Sequence, residues 1–342
     1  MRQTVVTTLG ILAGIFLGMS APGCKDSASS PQTAGEQWVV FTATPGGLVS
    51  NNILSIGFDA SGRKWIGTSD GLSQYAKGVW TTFTTANGLV SNQVSAIAPG
   101  RDASLWFGTR GSGISRYIEF DAQQPWRSYT ATSGLTDGMV YSLAIDYYGD
   151  AWVGTNGGVY QFVETPGSPT HAGVWHNYGT SDGLPEVRVT AVAVDLNNIK
   201  WFGTAFSGLA SYDNSAWQPY PMPQGERVRT TSIATDANGV KWIGTWGGAL
   251  RFDGRNWTVY DTTAGLASNT VNSVAVEGGR IIWFGTDRGA SRFDGSTWTK
   301  FTRANSSLVS DTINVVAADV SKNIWFGTPL GVSVYNQSGI QL

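Results

Sequence analysis

Residues 64–75 read KWIGTSDGLSQY, and residues 80–83 that follow read WTTF. The tetrad W-x-G-T that begins at Trp65 returns at Trp106, Trp152, Trp201, Trp242, Trp283 and Trp325, at spacings of 41, 46, 49, 41, 41 and 42 residues. A second element, W-x-x-[FY], begins at Trp38, Trp80, Trp126, Trp175, Trp217, Trp257 and Trp298. Together the two elements use fourteen of the fifteen tryptophans and leave Trp246 outside the pattern. A fixed period of this length is the mark of a repeat architecture. Within one period we read four short strands: A near Ile53–Phe58, a D-x-x-G turn at Asp59–Gly62, B at Lys64–Gly67, C at Leu72–Tyr75 and D at Trp80–Phe83. In later periods Asp253-Gly254 and Asp294-Gly295 join C to D, and this dipeptide predicts tight hairpin turns with positive φ at both residues.

One four-stranded sheet with apolar residues on both faces cannot bury itself, whereas seven set radially pack face to face. The predicted fold is therefore all-β: a seven-bladed β-propeller with four antiparallel strands per blade over residues 38–342. The last period stops after its third strand, Val332–Tyr335, and the first W-x-x-[FY] element, Trp38–Phe41, is an orphan. Joining them closes the ring and removes two sheet edges. Each tryptophan contributes a few kcal/mol at about 25 cal/mol per Å² buried. The glycine of W-x-G-T predicts a close backbone approach, since glycine otherwise only weakens a strand.

Units such as KWIGTSDGLSQY and NGLVSNQVSAIA (87–98) resemble the two-component regulator propeller repeat, and the resemblance covers residues 38–342. In that family the repeats form the periplasmic sensing part of large hybrid histidine kinases, often ones responding to polysaccharide fragments. We read no kinase, output helix or DNA-binding region after the last blade. The resemblance thus implies the fold and ligand recognition rather than signalling.

Residues 1–23 differ from the rest: Arg2 supplies a positive start, and Val5–Met19 contains no charge. This pattern predicts an export signal rather than a retained membrane span. It ends at Ala21-Pro22-Gly23-Cys24, which resembles a bacterial lipoprotein processing site around the chain's single cysteine. A lipidated Cys24 would anchor the protein and leave no disulfide. Residues 24–37 then form a flexible tether. Lys25 and Asp26 do not resemble an inner-membrane retention signal, so the expected place is the cell envelope, as an outer-membrane lipoprotein facing the periplasm or the cell surface. The membrane is met through the lipid anchor only.

The 22 basic and 24 acidic residues nearly cancel and are scattered singly. They offer no positive stripe, and nucleic acid is not an expected partner. In a propeller the D–A and B–C connections share one face, the usual ligand face. Recurring loop residues, such as G-L-x-S-N at Gly47–Asn51, Gly88–Asn92 and Gly265–Asn269, build the scaffold. Function is to be sought in the departures. Aromatic residues enter the B–C connections only as Phe206 in blade four and Trp246 in blade five. At the position of Asn52, just before strand A, the later blades carry Gln93, Met139, Arg188, Arg229, Thr270 and Thr312. Blade five also replaces G-L-x-S-N with Pro221-Met222-Pro223-Gln224-Gly225.

Trp246 and Phe206 are thus the candidates to stack on a sugar ring or peptide side chain, and Arg188 and Arg229 to clamp a carboxylate. The expected partner is a small ligand, an oligosaccharide or peptide, or else an envelope protein for which the disc is a scaffold. The second alternative is a lyase-like propeller enzyme of the streptogramin lyase type. Against it, the only histidines, His171 and His176, do not belong on the ligand face. We find no phosphate-binding glycine loop and no close set of metal-spaced ligands, so no catalytic activity, cofactor or metal is expected. Asp70 and Asp287, in separate loops of the ligand face, are the one conceivable carboxylate pair.

Overall fold

The computed structural model describes residues 37–121, 124–168, 170–223 and 228–342. The export signal, Cys24 and the tether lie outside them, except that Gln37 already belongs to the first strand, β1 (Gln37–Phe41). From β1 to β28 (Gly331–Asn336) the strands form seven four-stranded antiparallel sheets, the seven-bladed propeller. Among the described residues there is no α-helix, and no helix is long and apolar enough to cross a membrane. Blade one runs from β2 (Ile53–Phe58) to β5 (Val79–Phe83), and each later blade takes the next four strands. Blade seven is β26 (Val315–Ala318), β27 (Ile324–Thr328), β28 and, as its fourth strand, β1. The orphan closes the ring in the register Trp38↔Tyr335 to Phe41↔Val332.

Strand A of every blade lines the central channel, and a complete circle of hydrogen bonds fastens these inner strands together. Ser95, Thr190 and Thr231 donate their hydroxyls to Val140, Thr230 and Val271 carbonyls at 2.7 Å. Asn272 and Asn314 donate their amides to Ile313 and Ile53 at 2.9 and 2.8 Å. The remaining links use the next residue: Ser55 donates to the Val94 carbonyl, and Ser142 accepts from the Val192 N–H. Such links satisfy backbone groups that no fifth strand pairs.

The glycine of each W-x-G-T tetrad faces the start of the next blade's inner strand. A Cβ built on Gly203 would lie 2.3 Å from Thr230 Cγ2, and one on Gly327 would lie 2.6 Å from Ile53 Cγ2. The tetrad's tryptophan is at most 4% exposed in all seven blades. In six of the seven its indole N–H donates to the first residue of the A–B turn, as in Trp65 to Asp59 (2.9 Å), Trp201 to Asp195 (2.9 Å) and Trp283 to Glu277 (2.8 Å). The tetrad's threonine closes the B–C turn, Thr68 donating to the Gly71 carbonyl at 2.8 Å.

Two expectations need correction. The W-x-x-[FY] tryptophans are only half-buried, because strand D is the outermost of each blade. They lie on the aromatic residue opposite them in strand C, with Trp257 4.3 Å from Phe252 and Trp217 4.7 Å from Tyr212 between ring centroids. The Asp-Gly hairpins are not two-residue turns: strand C ends at Phe252 and strand D resumes at Trp257. Only Gly254 has positive φ, while the Asp253 carboxylate accepts the Arg255 and Asn256 N–H groups. The side chain replaces a backbone carbonyl, and so the loop has four residues.

Deleting residues 37–42 removes Trp38 from its place against Phe301, Phe326 and Tyr335 and reopens the ring. The expected result is loss of the single cooperative melting transition, read by circular dichroism. Gly203→Ala forces the inner strands of blades four and five apart and should cost about 1–3 kcal/mol in urea denaturation.

Candidate functional site

At the face shared by the D–A and B–C loops, the channel opens into a depression of about 430 Å³. Trp246 reaches it because the turn after strand B of blade five is pinned on both sides. The Thr245 hydroxyl donates to the Gly248 carbonyl at 2.7 Å and accepts from the Gly247 N–H at 3.0 Å. Trp246 is left at the tip, 54% exposed. Its own N–H donates to the Arg229 carbonyl at 3.1 Å, which makes these two departures from the repeat neighbours across a strand pair. The Arg229 guanidinium lies 5.0 Å from the Trp246 ring centroid and 5.8 Å from that of Tyr141.

Tyr141 joins the two predicted arginines. The Arg188 guanidinium is 5.5 Å from its ring and donates to its hydroxyl at 3.1 Å, and the hydroxyl donates in turn to Asn156 Oδ1 at 2.9 Å. Arg110, from the B–C loop of blade two, lines the same depression. Burial and the charges of Arg188 and Arg110 pull the Arg229 guanidinium below its ordinary value, against an opposing effect of Tyr141. It stays charged at neutral pH. Arg188 Nε and Arg229 Nε are buried without a partner. Asn52, Thr231, Asn272 and Asn314 complete a neutral polar wall.

Of the residues expected from sequence, Trp246, Arg229 and Arg188 come together. Phe206 stands apart on blade four, 43% exposed, with its N–H on Glu186, and does not line the depression. Blade five's altered loop keeps its structural part, since Met222 is buried where the other blades bury leucine. Asp70 and Asp287 line no common site. Hydrogen bonds from Ser50 and Ser69 hold the Asp70 carboxyl below the usual range, which suits a solvated ion. Tyr141 and Arg110 were missed. The signal for Tyr141 is its channel-lining position, which holds Ser, Thr or Asn in five blades and Leu54 in another.

The opposite face carries a cluster invisible in the sequence, because blades two and three share it: Asp102, Glu164 and His171 lie within ligand distance of one another. Arg116 occupies its middle, 2.6 Å from Asp102 and 2.7 Å from Glu164, and His171 Nδ1 is 2.7 Å from Glu164. Burial raises Asp102, but the Ser104 hydroxyl and the Arg116 charge hold it below the ordinary carboxylate range. The cluster is a compensated ion-pair network. His176 is exposed on strand D of the same blade.

Trp246 and Trp242, four residues apart, should separate under mutation. Trp246→Ala is expected to change unfolding free energy by less than about 1 kcal/mol, and Trp242→Ala, in the blade interface, to cost about 3–5 kcal/mol.

Comparison with known proteins agrees with this architecture. The two component regulator propeller family matches residues 134–157. No curated protein matches the chain by sequence. The extracellular domain of a hybrid two component system from B. thetaiotaomicron superposes with a TM-score of 0.74 at 22% identity, over 87% of this chain and 41% of that one. PorZ, a surface component of the type-IX secretion system of Porphyromonas gingivalis, gives 0.66 at 17% identity, over 84% of this chain and 47% of that one. Virginiamycin B lyase from Staphylococcus aureus gives 0.69 at 14% identity, over 88% and 98%. The chain thus spans about two fifths of the first neighbour's length, and these likenesses carry the fold. The family match falls at one of the seven W-x-G-T repeats, on the approach to and start of blade three, in a propeller closed by β1.

Proposed function

We propose that the protein is a non-catalytic, extracytoplasmic recognition propeller that binds a small ligand, an oligosaccharide or peptide, at the channel mouth. The observation that carries this reading is the convergence of Trp246, Tyr141 and Arg229, each a departure from an otherwise regular repeat, on one concave depression, with Arg188 held beside them on Tyr141. Pockets of a few hundred Å³ with a few convergent polar groups are the usual form of a small-ligand site. The likeness to an extracellular domain of a two component system supports a sensor-like role. The leader and Cys24 support export and anchoring, as an outer-membrane lipoprotein. Both histidines lie away from the mouth, which supports binding over lyase chemistry.

A scaffold role at the envelope is the second reading. It is favoured by large apolar side chains on the opposite face, among them Val320 at 95% exposure and Phe120 at 83%, and by the likeness to PorZ.

A thermal-shift screen of the purified protein against neutral and acidic oligosaccharides and short peptides, in parallel with Trp246→Ala, tests the first reading. A ligand at about 100 times its dissociation constant adds about 2.7 kcal/mol of stability. The expected result is a shift in the parent that Trp246→Ala loses. No shift with any class returns the function to the scaffold reading.

A further inference from the structure

Resting on the reading of the channel mouth as a recognition site, we infer that it is an oxyanion site: the ligand carries a carboxylate, sulfate or phosphate group that Arg110, Arg188 and Arg229 hold together. Arg110 and Arg229 line the depression and Arg188 stands beside it on Tyr141, and among the described residues no carboxylate stands within ion-pair distance of any of the three. The exposed Arg101, Arg255, Arg280, Arg288 and Arg303 also lack a carboxylate partner among the described residues, but every other described arginine that is not exposed has one. Arg63 is paired with Asp59 and Glu119, Arg116 with Asp102 and Glu164, and Arg127 with Asp121. Arg251 and Arg292 each face the aspartate two residues on.

The arrangement costs the empty protein stability twice. Like charges crowd one another, and two buried guanidinium nitrogens lack acceptors. An oxyanion held by the outer guanidinium nitrogens relieves the first, because it supplies the missing charge. The aromatic rings beneath hold the guanidinium groups without neutralising them: Tyr141 lies under Arg188 and Arg229, and Trp246 under Arg229.

The rest of the wall gives the ligand a direction. Asn272 and Asn314 each spend one amide N–H on the carbonyls of Ile313 and Ile53, which leaves an amide oxygen and a second N–H to a ligand. These neutral groups suit hydroxyl or amide partners, whereas the guanidinium groups suit a charge. The ligand therefore places its oxyanion toward blades two to five and a neutral polar body toward blades six and seven. A volume of about 430 Å³ suits a molecule of roughly two sugar or amino-acid residues.

Two measurements test this, and they fail separately from the recognition reading. The first uses iodide and caesium as probes. Quenching assigned to Trp246, by difference between the parent and Trp246→Phe, should be several-fold stronger with iodide than with caesium at low ionic strength. The preference should collapse in Arg110→Gln, whose side chain is exposed and outside the core, and in the double variant R188Q/R229Q. Equal quenching by the two ions overturns the inference. The second compares matched pairs by calorimetry: galacturonate, galactose 6-sulfate and galactose; N-acetylalanine and its amide. The acidic members should bind at least tenfold more tightly, with the gap closing in Arg229→Gln. The sulfated and carboxylated members separate the sources of the oxyanion. Trp246-dependent binding of the neutral members with equal affinity leaves the recognition reading standing and overturns the oxyanion site.

Discussion

Neighbouring blades meet so closely at the third residue of each W-x-G-T tetrad that no side chain fits there. Gly67, Gly108, Gly154, Gly203, Gly244, Gly285 and Gly327 all face the inner strand of the next blade at distances a Cβ would violate or crowd. That contact sets the spacing between sheets. It seats the preceding tryptophan in the interface, brings the inner strands within reach of side-chain hydrogen bonds, and makes the circle around the channel continuous across the junction of blade seven with blade one. Interiors packed to this density tolerate little change in volume. The ring is therefore a rigid frame, and variation is confined to its loops and to the residues that look into the channel.

A rigid frame with near-sevenfold repetition gives every blade the same two places from which to reach the channel mouth: the residue before strand A and the first residue of the B–C turn. The backbone bond from Trp246 to Arg229 has counterparts from Ser69 to Asn52, Arg110 to Gln93 and Ala205 to Arg188. Backbone geometry is shared, so only side-chain identity distinguishes one sector from another. Large aromatic and cationic groups gather on blades two to five, blade six carries Asp287 at the turn, and blades seven and one carry neutral residues. The one-sidedness of the mouth is written entirely in side chains on a common scaffold.

Most of the scaffold was legible because repetition multiplies weak signals. One W-x-G-T is a weak observation, whereas seven at near-constant spacing, with an orphan strand at one end and a three-stranded period at the other, leave one architecture. Trp246 and the two arginines were legible as interruptions of the same regularity. What was not legible required the third dimension. The circle of hydrogen bonds joins residues about forty positions apart in chemistry that looks ordinary in sequence, such as Thr190 and Thr230. The pairing of the turn aspartate with the tryptophan six residues on was hidden because the D-x-x-G motif was read only as a turn. Tyr141 escaped because the channel-lining position tolerates several residue types, so its departure is visible only once that position is known to face the channel. Phe206 was grouped with Trp246 by alignment of loops, but loops of different length do not aim alike: Ala205 holds the aligned position, and Phe206 falls one residue beyond it.

Departure from a repeat does not by itself mark a site, and blade two shows why. Gly100 stands where the other blades place the carboxylate that binds the buried tryptophan, so the Trp106 indole loses that acceptor. The vacancy is answered within the structure. Arg116 lies 4.7 Å from the Trp106 ring centroid, and its charge is met by Asp102 and Glu164. One lost interaction is replaced by a network in which the arginine's charge is met, although the Tyr129 hydroxyl beside Trp106 is buried without a partner. The channel mouth departs from the repeat in the same way, with arginines over aromatic rings, yet no carboxylate closes it and two buried donors stay open. A compensated departure is an alternative solution to the same packing problem. One whose cationic charge is left unmet keeps a standing cost in the folded state, and this difference in charge compensation, rather than rarity of the residues, is what supports the proposal of recognition at the mouth.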